Sequence, residues 1–365
     1  PSINNMMLVG HNTVRSLVLG DAKRAPTAAE LATMRDHIRL ALEQGCCGFS
    51  SGLIYRPGRY SDTEEVVELA KVAGEFDALY TTHMRNEGDK LLDAVDEALL
   101  IGKESGSHLH ISHHKAAGKA NWGKVSQSLM KVEEALVSGQ AVTLDVYPYT
   151  AGSGRMIEYF NLDNPNEELA RTIRIASCPA NRLYEGRMLV DIAEAEGKTM
   201  PEMVRSVLLA PEGDKTLCIQ FVISEEDVET NIKQRDMMIG SDGIPDLKGR
   251  PHPRLFGTFP RVLGHYVRER KLIGLAEAIR RMTSLPARIF GMKERGRVAE
   301  GYHADLVLFD SGLIADQATY DQPMLPPVGI KTVVVNGEIA LSDGEATGAG
   351  SGRMLRFRND SFSPR

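Results

Sequence analysis

Apolar positions along this chain fall into short blocks that switch repeatedly between strand-like and helical spacing. Asn5-Met6-Met7-Leu8-Val9-Gly10 is an apolar run leading into the polar group His11-Asn12-Thr13-Val14-Arg15, the pattern of a buried strand that feeds a loop. Thr27 and Glu30 then form a capping box, and Leu31, Met34, Ile38 and Leu42 follow at helical spacing until Gly45 ends the run. The next apolar block, Cys46 to Phe49, breaks into Ser50-Ser51-Gly52. After it Ser61 with Glu64 caps a second helix carrying Val66, Leu69, Ala70 and Ala73. The unit then repeats: Leu79 to His83, His108 to His113 and Val142 to Tyr147 read as strands, with helix faces at Leu91-Val95-Ala98 and Leu129-Val132-Leu136. Strand starts advance by about thirty residues each time.

Strand, loop and helix at that interval predict parallel strands covered by helices. An open doubly wound sheet would place a glycine-rich phosphate turn after an early strand, and no GxGxxG or GxxxxGK[ST] stands at any strand end. A closed TIM-type (β/α)8 barrel instead puts reactive residues at the C-terminal ends of several strands. His11, His83, His113 and the Asp145-Val146-Tyr147-Pro148-Tyr149 run all sit where a strand gives way to a loop, so the barrel is favoured. Residues 1–150 carry this repeat. Residues 151–230 interrupt it, with a helix near Pro201 to Leu209 and a lone strand-like run from Leu217 to Ile223, and read as a subdomain inserted over the barrel mouth. Residues 231–291 resume the barrel at Met237 to Gly243 and continue in a helix from about Leu272 to Ile289. Residues 292–365 change to Val-rich runs, one ending in Asn336-Gly337, which predict a small β domain and a tail.

Composition narrows the function classes. Forty-three basic against 49 acidic residues give a net charge of −6, which supplies no global positive field for nucleic acid or an anionic membrane. No uncharged stretch reaches the ~18 apolar residues of a spanning helix. Four cysteines, two of them adjacent at Cys46 and Cys47, make neither a disulfide framework nor a CxxC zinc knuckle, so a reducing cytoplasm is expected. Small-molecule chemistry is the expectation.

Five of the ten histidines, His83, His108, His110, His113 and His114, fall between positions 83 and 114. Side chains alternate across a strand, which sets His108 and His110 opposite to Leu109, Ile111 and His113. His113, nearest the strand end, is the better metal-ligand candidate, and His108 and His110 are expected to be structural, hydrogen-bonded under the helices. Parallel strands lie about 5 Å apart, so His83 and His113 at matching strand ends reach one Zn²⁺ at ~2.0 Å from each nitrogen. Asp242, in Gly240-Ser241-Asp242-Gly243, places a carboxylate at a third strand end, where it can take a proton from a metal-bound water.

Several blocks resemble the N-acyl-D-amino-acid deacylases (D-aminoacylases) of the amidohydrolase superfamily. They are Thr82-His83-Met84-Arg85-Asn86-Glu87-Gly88, Ile111-Ser112-His113-His114-Lys115, Asp145 to Ser153, Ser241-Asp242-Gly243 and Arg250-Pro251-His252-Pro253-Arg254 through Arg261. Val9 to Arg15 and the Gly296 to Leu306 stretch match too, so the resemblance covers nearly the whole chain. It implies His83 and His113 as zinc ligands on the fifth and sixth barrel strands and Asp242 on the eighth as catalytic base. It further implies Lys115, Tyr147, Ser153 and Arg254 around an N-acyl-D-amino acid, with Arg254 on its α-carboxylate. The implied reaction is hydrolysis of the N-acyl amide, a metal-bound hydroxide attacking the acyl carbonyl while Asp242 shuttles the proton. The Ala304-Asp305-Leu306-Val307 tail is shared with dihydroorotase-like and dihydropyrimidinase-like relatives, which keeps a cyclic-amide hydrolase as an alternative.

The chain also departs from the family. It lacks the family's first-strand His-x-His pair and second-strand cysteine, its own His108-Leu109-His110 being on another strand. The motifs therefore account for barrel strands three to eight, and the chain is expected to be an N-terminally truncated piece of a longer product. A catalytically dead chain that has lost its metal site is the remaining alternative.

Overall fold

The structure, a computed structural model, describes residues 1–357. The last residues assigned to the C-terminal tail, 358–365, lie outside the described residues. Six strands form one parallel sheet in the order Met238–Ile239, Val142–Val146, His108–Ile111, Leu79–His83, Gly48–Gly52 and Val9–Gly10. Helices Ala28–Glu43, Thr63–Glu75, Leu91–Ser105 and Lys124–Val137 connect consecutive strands, an arrangement that fits a TIM-type barrel. The Thr27 hydroxyl accepts from the Glu30 N–H while the Glu30 carboxylate accepts from the Thr27 N–H, the reciprocal cap visible in the sequence.

Register gives the sheet two different faces. Val9, Phe49, Tyr80, Leu109 and Val142 are successive partners in one row, and they pack against the helices with Val66, Leu69, Val95, Ile101 and Val132. Full burial of each large apolar side chain contributes roughly 1.5–3 kcal/mol. One residue later, Gly10, Ser50, Thr81, His110 and Thr143 form the next row and point the other way, into the interior of the curved sheet. The interior is thus polar, and the same face ends at His83.

Between the fifth and sixth strands lies an antiparallel sheet of Gly152–Arg155, Leu217–Gln220 and Ile173–Ser177, with helices Leu189–Ala195 and Met200–Leu208 packed on a core of Ile175, Ile192, Met203, Val204 and Cys218. Leu306–Phe309, Ile330–Val335, Glu338–Ser342 and Glu345–Ala346 make a four-stranded antiparallel sheet near the C-terminus. Its Asn336-Gly337 turn has φ of +49° and +87°, the positive pair that a tight hairpin turn requires.

Several expectations are corrected. His11 to Arg15 is not a loop but the start of helix His11–Leu19, which places His11 and Arg15 one turn apart so that both reach Glu65. The cap before Thr63–Glu75 is Asp62, whose carboxylate accepts from the Glu65 N–H, and not Ser61. Leu217–Gln220 is the centre of a sheet and not a lone strand. The expected Leu272–Ile289 helix breaks at Thr283 into Leu275–Met282 and Ser284–Ile289. Residues read only as a motif block form helix Arg254–Arg261, which runs on as a π-helix to Glu269. His108 and His110 face the interior and not the helices, because the strand ends at Ile111 and alternation cannot be counted on to His113.

Helix His11–Leu19 is tied to Thr63–Glu75 by one buried ionic group: Glu65 accepts from Arg15 and lies 2.9 Å from His11 Nε2. Burial opposes the charge on Glu65, but His11 and Arg15 outweigh it and lower the carboxyl pKa. Its stabilising contribution is therefore full above the ordinary glutamate pKa and is lost as pH falls through the lowered value. Glu65→Ala, which strands the Arg15 charge, should destabilise the fold by about 3–5 kcal/mol at neutral pH, as measured by urea unfolding. A loss below about 1 kcal/mol, the scale of an exposed pair, would show that the cluster is dispensable.

Candidate metal centre and substrate pocket

Strands Leu79–His83 and His108–Ile111 pair in register, Thr82 beside Ile111, so their ends share one rim. His83 closes the first. Past Ile111 the chain turns at His113, with φ of +40°, and its ring returns to the rim. His83 Nδ1 and His113 Nε2 lie 2.9 Å apart. Glu87, from the loop after His83, brings one carboxylate oxygen 3.0 Å from His113 Nδ1 and the other 3.6 Å from His83 Nε2. One ligand atom from each of His83, Glu87 and His113 lies within 4.8 Å of the others. Lys115 donates to Glu87 at 2.6 Å and reaches His113 Nδ1 at 2.8 Å.

This donor set fits a zinc ion: two imidazoles and a carboxylate are its usual N/O ligands, and His83 Nε2 is buried without a hydrogen-bond partner. Burial pushes the His83 imidazole down to about 3, against the opposing pull of Glu87, so the ring is neutral at neutral pH, the form that binds a metal. Burial alone would raise the Glu87 carboxyl, but His83, Lys115 and His113 together hold it well below the usual range. The Tyr55 hydroxyl, from the loop after Gly48–Gly52, stands 3.5 Å from His83 Nδ1.

A second group faces the same rim. Asp242, with φ of +47°, follows the Met238–Ile239 strand, and its carboxylate pairs with Arg254 at 2.9 Å. Arg254 opens its helix with a guanidinium side chain only 1% exposed, stacked over the Tyr147 ring at 4.6 Å. Lys115 lies 5.6 Å from that ring, so Tyr147 joins the two groups. Burial raises the Tyr147 phenol well above its ordinary pKa, and its hydroxyl has no partner, nor does Arg254 Nε. His252 holds the backbone of Arg254: Nδ1 accepts from the Arg254 N–H at 3.0 Å and Nε2 donates to the Ala151 carbonyl at 2.9 Å, which sets the tautomer. A narrow cleft opens here, lined by Ser153, Leu217, Ile244, Lys248, His252 and Arg254.

The residues singled out in the sequence thus gather in two neighbouring sets. His83, His113 and Lys115 surround Glu87, while Asp242 and Arg254 engage each other above Tyr147. Ser153 turns its carbonyl toward Arg254 at 3.4 Å and gives its hydroxyl to the Cys218 carbonyl. Glu87, Tyr55 and His252 were not singled out. Glu87 stands four residues after His83, a spacing that could have marked it as a further donor, whereas Tyr55 carries no such signal.

Known proteins resemble this chain along nearly all of its length. Residues 201–341 match the Amidohydrolase family. The chain is 40% identical over 337 residues to an N-acyl-D-glutamate deacylase of Alcaligenes xylosoxydans xylosoxydans, covering 92% of this chain and 66% of that protein. It is 39% identical over 354 residues to a D-aminoacylase of the same organism, covering 97% and 70%. The chain therefore spans about two thirds of the length of these relatives. A crystal structure of N-acyl-D-glutamate deacylase from Bordetella bronchiseptica, complexed with zinc and a phosphonate mimic of the tetrahedral intermediate, superimposes with a TM-score of 0.88 at 40% identity, covering 98% of this chain and 72% of that one. A dihydropyrimidinase from Brevibacillus agri, at 13% identity and a TM-score of 0.58, shares the fold alone. The identity sustained along almost all of its length places this chain in the D-aminoacylase family of the amidohydrolases.

Proposed function

We propose that the chain carries the metal-binding and substrate-binding residues of a zinc-dependent enzyme that hydrolyses the N-acyl amide bond of N-acyl-D-amino acids. The observation that supports it most is the nearness of two unlike groups to one tyrosine: Lys115, bonded to the Glu87 and His113 of a His–His–Glu donor set, and the buried Arg254 both lie against the Tyr147 ring. In the same reading the six parallel strands occupy positions three to eight of an eight-stranded barrel. Residues 151–230 form a subdomain over its mouth, 231–291 its final strand and helix, and 292–357 the described part of the C-terminal half of a small β domain. No helix among the described residues is long and apolar enough to cross a membrane.

His83 and His113, with Glu87 as a further donor, would hold the zinc, which when bound supplies a Lewis acid for the acyl carbonyl and activates water. Arg254 receives the α-carboxylate through its fork of donors. Because that guanidinium pairs with Asp242 in the structure, the incoming carboxylate takes the place of Asp242. Asp242 is then free to accept a proton from the attacking water and return it to the leaving amine nitrogen. Tyr147, protonated and without a partner, offers its hydroxyl to the substrate, and Tyr55 offers a second beside His83. Lys115 neutralises Glu87 and holds it against the histidines. His252 and the Ser153 carbonyl keep Arg254 in place.

Two experiments test this reading. Asp242→Ala should lower kcat by the ~10²- to 10⁴-fold typical of a lost general base, with zinc content retained; near wild-type turnover would refute the role. Arg254→Lys keeps the charge and loses the fork. The mutant should lose roughly ten- to a hundred-fold in kcat/KM on N-acyl-D-amino acids, the equivalent of about 1.5–3 kcal/mol, and far less on the corresponding amino amides, which offer no carboxylate. Equal losses on acid and amide would make Arg254 structural and move the clamp to Lys115.

A further inference from the structure

Asp145 lies in the interior row of the sheet, two residues past Thr143, on the strand beside His108–Ile111. Its two carboxylate oxygens are used on opposite sides. Oδ1 accepts the backbone N–H of His113 at 2.7 Å, and Oδ2 accepts from His110 Nε2 at 2.7 Å. The backbone carbonyl of Asp145 accepts the next N–H along, that of His114, at 2.8 Å. Two consecutive peptide groups of the turn that carries His113 are thus fastened to this one residue.

The turn needs fastening. His113 has φ of +40°, a left-handed conformation that residues with a Cβ adopt rarely. His110, which anchors the other side of the carboxylate, is itself held by Thr143, 3.0 Å from its Nδ1. The strand leading to Asp242 also closes on this group. A Cβ at Gly240 would lie 3.0 Å from Asp145 Oδ1, so the approach is this close because position 240 is glycine.

We propose that Asp145 is a positioning residue for the metal centre, holding the His113 turn so that its imidazole meets His83, with His110 holding Asp145 in turn. The inference rests on the reading of His83 and His113 as metal ligands. Groups that orient a ligand typically contribute about ten- to a hundred-fold to metal affinity. Asp145 would do so through the backbone of the ligand, where His110, its partner on the same carboxylate, needs no contact with the metal.

The test is zinc affinity, measured on the chelator-stripped full chain by competition with a chromophoric chelator, together with the absorption spectrum of the cobalt(II)-loaded protein. Asp145→Ala should weaken zinc binding about ten- to a hundred-fold and alter the cobalt spectrum. Asp145→Asn keeps an oxygen for the His113 N–H and should recover most of the affinity. Gly240→Ala crowds the carboxylate without removing it and should weaken binding in the same direction, which keeps the question answerable if Asp145→Ala does not fold. Unfolding midpoints recorded with chelator present report the purely structural contribution. Lower stability in Asp145→Ala with wild-type zinc affinity and an unchanged cobalt spectrum would overturn the inference. A wild-type chain that binds no zinc would overturn the metal-centre reading, and this inference with it.

Discussion

Parallel pairing in register is the constraint on which everything else depends. Strands that run the same way and pair residue for residue end together, so groups far apart in sequence meet at one rim without a dedicated loop to bring them there. His83 and His113 meet because Thr82 is opposite Ile111, and Asp145 reaches the His113 turn because Thr143 is opposite His110. The same register separates an apolar row, Phe49, Tyr80, Leu109 and Val142, from a polar one, Ser50, Thr81, His110 and Thr143. Stability is thus concentrated on the helix side of each strand and chemistry on the interior side. A one-residue slip would exchange them.

Buried charge is arranged in compensated groups, as the cost of desolvating a lone ion demands. Glu65 has Arg15 and His11; Glu87 has Lys115 and the two histidines; Arg254 has Asp242. At the rim the compensation is incomplete in a particular way: His83 Nε2, the Tyr147 hydroxyl and Arg254 Nε have no hydrogen-bond partner among the described residues. Each is a polar group of the kind that a metal ion or a polar substrate satisfies.

Much of this was legible in the sequence, for identifiable reasons. The Thr27/Glu30 cap could be read because both halves of a capping box lie within four residues, and the strand-helix interval because apolar spacing survives burial. The pairing of His83 with His113 followed from equivalent strand ends. What could not be read depends on where alternation stops. His110 was set on the helix face because the period was carried past Ile111 into a turn with positive φ. The helix from Arg254 was hidden by Pro253 at its cap and Pro260 within it. Glu87 and His252 lie in irregular segments, where no period says which way a side chain points. The mutual engagement of Asp242 and Arg254 was equally out of reach, since eleven intervening residues of loop decide it.

The central proposal is a metal held between His83, His113 and Glu87. Diffraction from zinc-soaked crystals, recorded on both sides of the zinc absorption edge, tests this most directly. An anomalous peak is expected about 2.0–2.2 Å from one imidazole nitrogen of each histidine and from a Glu87 oxygen. Zinc found elsewhere on the chain, with this cluster empty and its side chains still joined by hydrogen bonds, would contradict it.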